Sequence, residues 1–387
     1  MRIAYVCTDP GIPVFGTKGA SVHVQEMLRA FTGRGAQVTI ISPRIGDTAP
    51  ADLAGVVIHA LRPLPSGEAV VRAQAALSQN AHVTQALTEA GPFDLIYERH
   101  ALYAHAAMQF ACDAGVAGVL EVNAPLLAEQ ARHRTLALPA DADASTRTCM
   151  GAATTVTAVS PVVASYARDH GARSVEVIPN AVTPARFPQQ DPPMGPFTLG
   201  FLGSLKPWHD VDTALDAFAL LHAEAVPDAV LLIVGDGPER ERLAHRADAL
   251  GVADAVTFTG AVAPDAVPAM LARMHVGLSP YAASADFYFS PLKIYEYMAA
   301  GLAVVASDVG HLGQVVDDGT TGLLTPAGDA RALANTLSRL AADPALRMRL
   351  GTTARAHVMA HHTWDGIAAR VMGHADQHAD QTASAPA

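Results

Sequence analysis

The chain has 387 residues, of which 50% are hydrophobic and 16% charged, with a formal charge of −11. That much apolar material argues against disorder, and the length asks for two domains of roughly 150 to 200 residues. The net acidity argues against a nucleic-acid partner, which needs clustered Lys and Arg, and weighs against docking on an anionic membrane.

Cys7, Cys112 and Cys149 are far apart with no CxxC; they fit a reduced cytosol and read as small core residues. Met1 leads directly into an apolar strand, so no signal peptide is expected. No apolar run approaches ~18 residues, so no transmembrane helix is expected either. A cytoplasmic location is the expectation.

Arg2 to Cys7 reads as the first strand. A loop with Gly16 and Gly19 follows, then a helix carrying Val22, Val24, Met27, Leu28 and Phe31, then a strand from Val38 to Ser42. This is a βαβ opening, although GxxG alone is a weak phosphate-loop signal. The alternation predicts strands at 56–61, 93–97, 116–122, 154–159 and 175–178. Helices are expected at 68–90, 101–114, 126–148 with a break near Pro139, and 162–170. Residues 181–196 hold five prolines in sixteen and form the best linker candidate. The pattern then restarts, with strands at 197–202, 229–234, 256–259 and 276–279 and helices at 211–224, 239–250 and 267–274. Strands alternating with helices imply mostly parallel sheets covered on both faces. The expected organisation is an N-terminal Rossmann-like domain (1–180), the linker, and a C-terminal Rossmann-like domain (197–360). A helix over 361–373 packs back on the first domain, and a loose tail covers 374–387.

The most informative stretch is 286–307, DFYFSPLKIYEYMAAGLAVVAS. Ser290 and Pro291 predict an N-cap and first helical residue. The N–H groups of Leu292 and Lys293 then point out of the helix start and, with the dipole and the Lys293 charge, offer an anion site. Glu296, about a turn further in, is a carboxylate suited to hydroxyls. Gly301 predicts the αL end of the helix, and Ala303 to Ala306 a buried strand. A phosphate cradle beside a hydroxyl-binding carboxylate suggests a nucleotide or nucleotide-sugar ligand.

Several segments in order, KGASVHVQEML, LEVNAPLLAEQ, VIPNAV, FLGSLKPWHD, LLIVGDGPER and SPLKIYEYMAAGLAVVASDVG with DDGTTGLL, resemble retaining glycosyltransferases of the GT-B class, family 4 type. The resemblance spans nearly the whole chain. It implies an α/β GT-B fold: two Rossmann-like, doubly wound domains facing a central cleft, with the donor held mostly by the C-terminal one. It implies that Ser290, Pro291, Leu292 and Lys293 meet the donor diphosphate or sugar and that Glu296 holds the ribose hydroxyls. The first acidic position of the family's Glu-x7-Glu motif falls here on Tyr288, with Asp286 two residues away.

The loop from Gly203 is where the family places Arg and Lys against the leaving diphosphate; those positions become Ser204 and His209. Lys206 is the fixed cation of the segment and the candidate for charge stabilisation, and His209 would share the role when protonated. Gly235 opens a turn that either approaches the nucleotide or is simply tight. Gly16, Lys18 and Gly19 would face the phosphates, and His23 is either a structural helix residue or a substrate contact. His100 and Glu121 are candidates for touching sugar or acceptor. Glu121, with Asn123 behind it, is either a base near the acceptor hydroxyl or an ion-pair partner of Arg99 or Arg132.

Asp141 and Asp143 form an Asp-x-Asp outside the end of a strand and read as a solvated turn. His374, Asp376, His378 and Asp380 have metal-ligand chemistry but fall in the expected tail. No metal and no cofactor is expected. The expected reaction moves a sugar from a nucleoside diphosphate sugar to an acceptor hydroxyl with retention, the acceptor being a small molecule, glycan or lipid-linked glycan. Peripheral membrane contact stays open. The alternatives are an epimerase, hydrolase or phosphorylase on the same fold, and a non-catalytic nucleotide-sugar-binding partner.

Overall fold

The computed structural model describes residues 1–189, 193–283 and 287–384. Asp286, two residues from Tyr288, lies outside the described residues. The chain divides into two compact units. Unit 1 comprises Met1–Pro179, Tyr288–Ser290 and Trp364–Ala387; unit 2 comprises Asn180–Phe287 and Pro291–Thr363.

Unit 1 is built on seven parallel strands: β1 (Arg2–Cys7), β2 (Gln37–Ser42), β3 (Val57–Ala60), β4 (Leu95–Arg99), β5 (Ala117–Val122), β6 (Thr155–Ala158) and β7 (Val175–Val177). They pair in the order β3-β2-β1-β4-β5-β6-β7. Every residue of β4, β5 and β6 is buried, as parallel strands covered on both faces require. One core layer joins Ile96, Leu120 and Val156 of the sheet to Met108, Ala111 and Met150 of its helices.

Unit 2 repeats the plan with β8 (Thr198–Leu202), β9 (Val230–Val234), β10 (Val256–Gly260), β11 (Val276–Ser279), β12 (Ala303–Asp308) and β13 (Leu323–Pro326), in the order β10-β9-β8-β11-β12-β13. Leu199, Phe201, Leu231 and Ile233 pack there against Leu215, Phe218 and Leu337. In each sheet the chain order reverses once, between β1 and β4 and between β8 and β11. Open α/β sheets hold ligands at such switch points, outside the strands' carboxyl ends.

Three elements depart from the periodicity. β4 begins two residues later than expected and ends on Glu98 and Arg99, both buried; their partners come from other elements, so a local apolar count misses them. The helix expected from 101 starts at Ala106. Its first turn is capped from a neighbouring helix, where Asn80 Oδ1 accepts from the N–H of His105 (2.9 Å) and Ala106 (3.0 Å). The tail expected to be loose is helical as far as Ser384. Trp364 at its head is buried edge-on against His23 (4.6 Å), and His374 lies 2.9 Å from Glu176. The break near Pro139 is realised as separate helices, Leu126–His133 and Pro139–Ala152. No helix among the described residues is long and apolar enough to cross a membrane.

Candidate functional site

In unit 2 the β8/β11 switch point is flanked by the loops that leave β8, β9 and β11. Gly203 leaves β8 at φ +147°, a conformation that strains any other residue. Its N–H donates to the Val234 carbonyl (2.9 Å), and the Leu205 N–H donates to the Asp236 carbonyl (2.9 Å). The loops after β8 and β9 are therefore fastened backbone to backbone. A Cβ on Gly235 would meet the Gly203 carbonyl oxygen at 2.0 Å, and one on Gly237 the Leu205 oxygen at 2.4 Å. Glycine is needed at Gly235 for loop packing.

Tyr297 ties the switch point together. Its hydroxyl accepts from the Leu202 N–H at 2.7 Å and donates to the Leu278 carbonyl at 3.2 Å, bridging β8 and β11. Gly277 makes room for the ring, since a Cβ there would meet it at 2.4 Å.

The helix after this loop runs Leu292–Ala299, one residue later than expected, with Pro291 at the cap position and no side-chain cap. Ser290 therefore stands one position before the cap. Gly301 does take the left-handed conformation at its end, φ +75°. Lys293 departs further from expectation. It is buried, and its Nζ lies 4.0 Å from the centre of the Phe201 ring and 5.6 Å from that of Tyr281. Among the described residues Nζ has no hydrogen-bond partner. Burial pushes the amine down to about 7, against the opposing pull of Glu296. Glu296 itself is half-buried.

His209 is not the expected cation. Its Nδ1 donates to the Ser204 carbonyl (2.5 Å), and burial, reinforced by the Lys293 charge, pushes the ring down to about 3. Lys206 is half-buried with Nζ 5.9 Å over the Trp208 ring, and Ser204 is exposed. The loop after β12 adds His311, buried with neither ring nitrogen hydrogen-bonded. Nothing in the local sequence marked it.

In unit 1 the loop after β1 is pinned by Gln25, whose Nε2 donates to the carbonyls of Gly16 (2.8 Å) and Val14 (3.0 Å). A Cβ on Gly16 would come 2.6 Å from Pro13. Gly19 and Lys18 begin the Gly19–Gly33 helix, which points His23 inward. His23 Nε2 lies 2.7 Å from Glu121 Oε1, and Arg99 Nη1 lies 2.6 Å from the same oxygen. Tyr97 donates to Oε2 at 2.8 Å, and Asn123 donates to Oε1. Burial alone would raise the Glu121 carboxyl. The neighbouring His23 and Arg99, with hydrogen bonds from His23 and Asn123, outweigh it and hold the group well below the usual carboxylate range. Both oxygens are occupied, so the role of base gives way to that of ion-pair partner of Arg99. Tyr97, from the adjoining strand, was not foreseen.

His100 follows β4. Its N–H donates to the Glu121 carbonyl (2.9 Å), but neither ring nitrogen is hydrogen-bonded, and burial pushes the imidazole down to about 4. Tyr288 belongs to unit 1, packs on its core and donates to Glu129 Oε2 at 2.8 Å. It is anchored as a phenol and does not replace an acid. Asp141 and Asp143, expected in a solvated turn, lie inside the Pro139–Ala152 helix, where Asp143 pairs with Arg147 at 2.8 Å.

Two family models match the chain, Glycosyltransferase Family 4 over residues 17–186 and Glycosyl transferases group 1 over 196–343. A GDP-mannose-dependent alpha-(1-6)-phosphatidylinositol monomannoside mannosyltransferase of Mycobacterium tuberculosis is 33% identical over 177 residues, 45% of this chain. The matched region spans about half the length of that relative, 46%. A phosphatidyl-myo-inositol mannosyltransferase of Mycobacterium leprae is 29% identical and matched over 96% of both chains. Among solved structures, a sucrose-phosphate synthase from Thermosynechococcus elongatus superposes over the whole of both chains with a TM-score of 0.78 at 20% identity, a likeness of fold.

Proposed function

The chain belongs to the group 1, family 4 glycosyltransferases of GT-B fold, and from that premise we propose that it transfers a sugar from a nucleoside diphosphate sugar to an acceptor hydroxyl. The observation that carries the reading is the crevice of unit 2. There a buried, unpartnered Lys293 adjoins a glycine turn and a helix start at the switch point of a doubly wound sheet. An anion supplies what that arrangement lacks. Lys206 and the Leu292–Ala299 helix start add positive potential where charge grows on the leaving phosphate. Glu296, about a turn into the helix, suits the ribose hydroxyls.

In unit 1, His100 presents two buried ring nitrogens suited to hydroxyls of sugar or acceptor. We further propose retention at the anomeric carbon without a covalent enzyme intermediate. The commitment of Glu121 to His23, Arg99, Tyr97 and Asn123 supports this, because it removes that carboxylate from nucleophilic duty. The leaving phosphate then helps deprotonate the acceptor. The scheme uses no metal, so transfer should persist in excess chelator.

The test is incubation with nucleotide sugars and a panel of polyol and glycan acceptors, following product by mass spectrometry and its anomeric configuration by NMR. GDP-mannose leads the panel because relatives act as mannosyltransferases. Full transfer by both K206A and E296A would refute the donor-site assignment. Donor hydrolysis or epimerisation without acceptor would replace the transferase reading.

A further inference from the structure

Only three of the chain's 26 Lys and Arg residues are lysines: Lys18, Lys206 and Lys293. Arginine serves everywhere else. A guanidinium stays protonated in any protein environment, whereas a buried amine sheds its proton readily. Lys293 occupies a place where that difference matters. It is 6% exposed, and its Nζ rests on the faces of Phe201 and Tyr281 with no hydrogen-bond partner. The same atom lies 3.1 Å from where a Cβ on Gly203 would stand, so the glycine both turns the chain and leaves the amine its space. The titratable groups around it are Glu296 on its own helix, His209 from the loop after β8 and Tyr281 from the loop after β11. A permanently charged side chain here would be a desolvated cation without a hydrogen-bonded counter-ion.

Given a nucleotide-sugar donor bound at unit 2, as proposed above, we propose that Lys293 is the specificity-determining cation for its diphosphate, and that this anion and one proton bind together. In the empty crevice the amine is largely uncharged at mildly alkaline pH, and the aromatic cage tolerates it. An entering phosphate favours the ammonium form and takes its N–H groups in charge-assisted hydrogen bonds. The proton comes from solvent. A nucleoside without phosphates offers the amine nothing and binds without proton uptake. Lys206, half-buried over Trp208, adds attraction from a second loop position.

The experiment is isothermal titration of the full chain at pH 8 with uridine, guanosine, adenosine and thymidine diphosphates and the matching nucleosides, in buffers of different ionisation enthalpy. With burial lowering the amine, wild type should take up a large fraction of a proton per diphosphate bound. K293M, which fits the same apolar cage, should lose the uptake and bind the diphosphate at least tenfold more weakly, with nucleoside affinity unchanged. K206M should weaken binding yet keep the uptake. Diphosphate binding by wild type without proton uptake, or uptake surviving in K293M, overturns the proposal and leaves the glycosyltransferase reading standing. Failure of wild type to bind any of the diphosphates overturns both.

Discussion

Glu121 collects four side-chain partners on two oxygens, from β4, from the first helix and from Asn123 just beyond its own strand. Removing one member of a buried ion pair leaves the other charged and desolvated. E121A should therefore lose on the order of 3–5 kcal/mol, read by chemical denaturation. Glu98, one residue before Arg99, has a different surrounding. Burial pushes its carboxyl up to about 7, against the weak contact with the Cys149 thiol at 3.6 Å. The folded chain thus holds a proton that the unfolded chain releases near 4.5. This stabilisation is complete below about pH 4.5 and is lost as pH rises through about 7. E98Q should flatten the fall in stability between pH 5 and 7 relative to wild type, measured as the urea midpoint against pH. An unchanged slope would mean that Glu98 titrates normally. Neither glutamate announces its state in the sequence, because the neighbours that decide it lie far along the chain.

The two Ser-Pro steps that open helices show how an element depends on more than its own signal. At Ser160–Pro161 the cap forms: Ser160 Oγ accepts from the Val163 N–H at 3.3 Å, and Pro161 is the first helical residue. At Ser290–Pro291 the same dipeptide begins its helix a residue later, with Ser290 grouped in unit 1 and Pro291 in unit 2. S160A should cost about 1 kcal/mol, a normal cap loss visible as a lower thermal midpoint. The Leu292–Ala299 helix is secured through Tyr297, whose hydroxyl joins β8 to β11. Y297F leaves the Leu202 N–H buried without its partner. It should cost about 1–3 kcal/mol and weaken nucleoside diphosphate binding, checked by denaturation and titration. Helix and strand were legible here from SPLKIYEYM and AVVAS. The bridge was not, since a tyrosine inside an apolar helix pattern reads only as core.

On the scale of the whole molecule, the last helix belongs to the first unit. Trp364, Ile367, Ala368 and Val371 are buried in unit 1 with the Gly19–Gly33 helix. Truncation before Trp364 should strip the cover from His23 and destabilise unit 1, so that protease sites in residues 1–179 open first, identified by mass spectrometry. The retention of intact unit 1 after truncation would contradict this. A selective rise in thermal midpoint with one nucleoside diphosphate would identify the donor base, because a ligand held only by the folded state adds stability.

Local patterning dictates the alternation of apolar strands and amphipathic helices, and hence two parallel sheets with their loops at the carboxyl ends. Those are properties of short windows: a strand buried on both faces is apolar residue after residue, wherever it lies. The residues also carry the order of motifs by which the family is recognised. Tertiary structure alone decided that Lys293 is a caged amine, that His209 is neutral, that Glu121 is bound on both oxygens and that Gly235 serves loop packing. Each depends on burial and on charges brought together from distant strands. A residue's protonation and its freedom to meet a ligand are set by the neighbours it acquires in space, which no local period encodes.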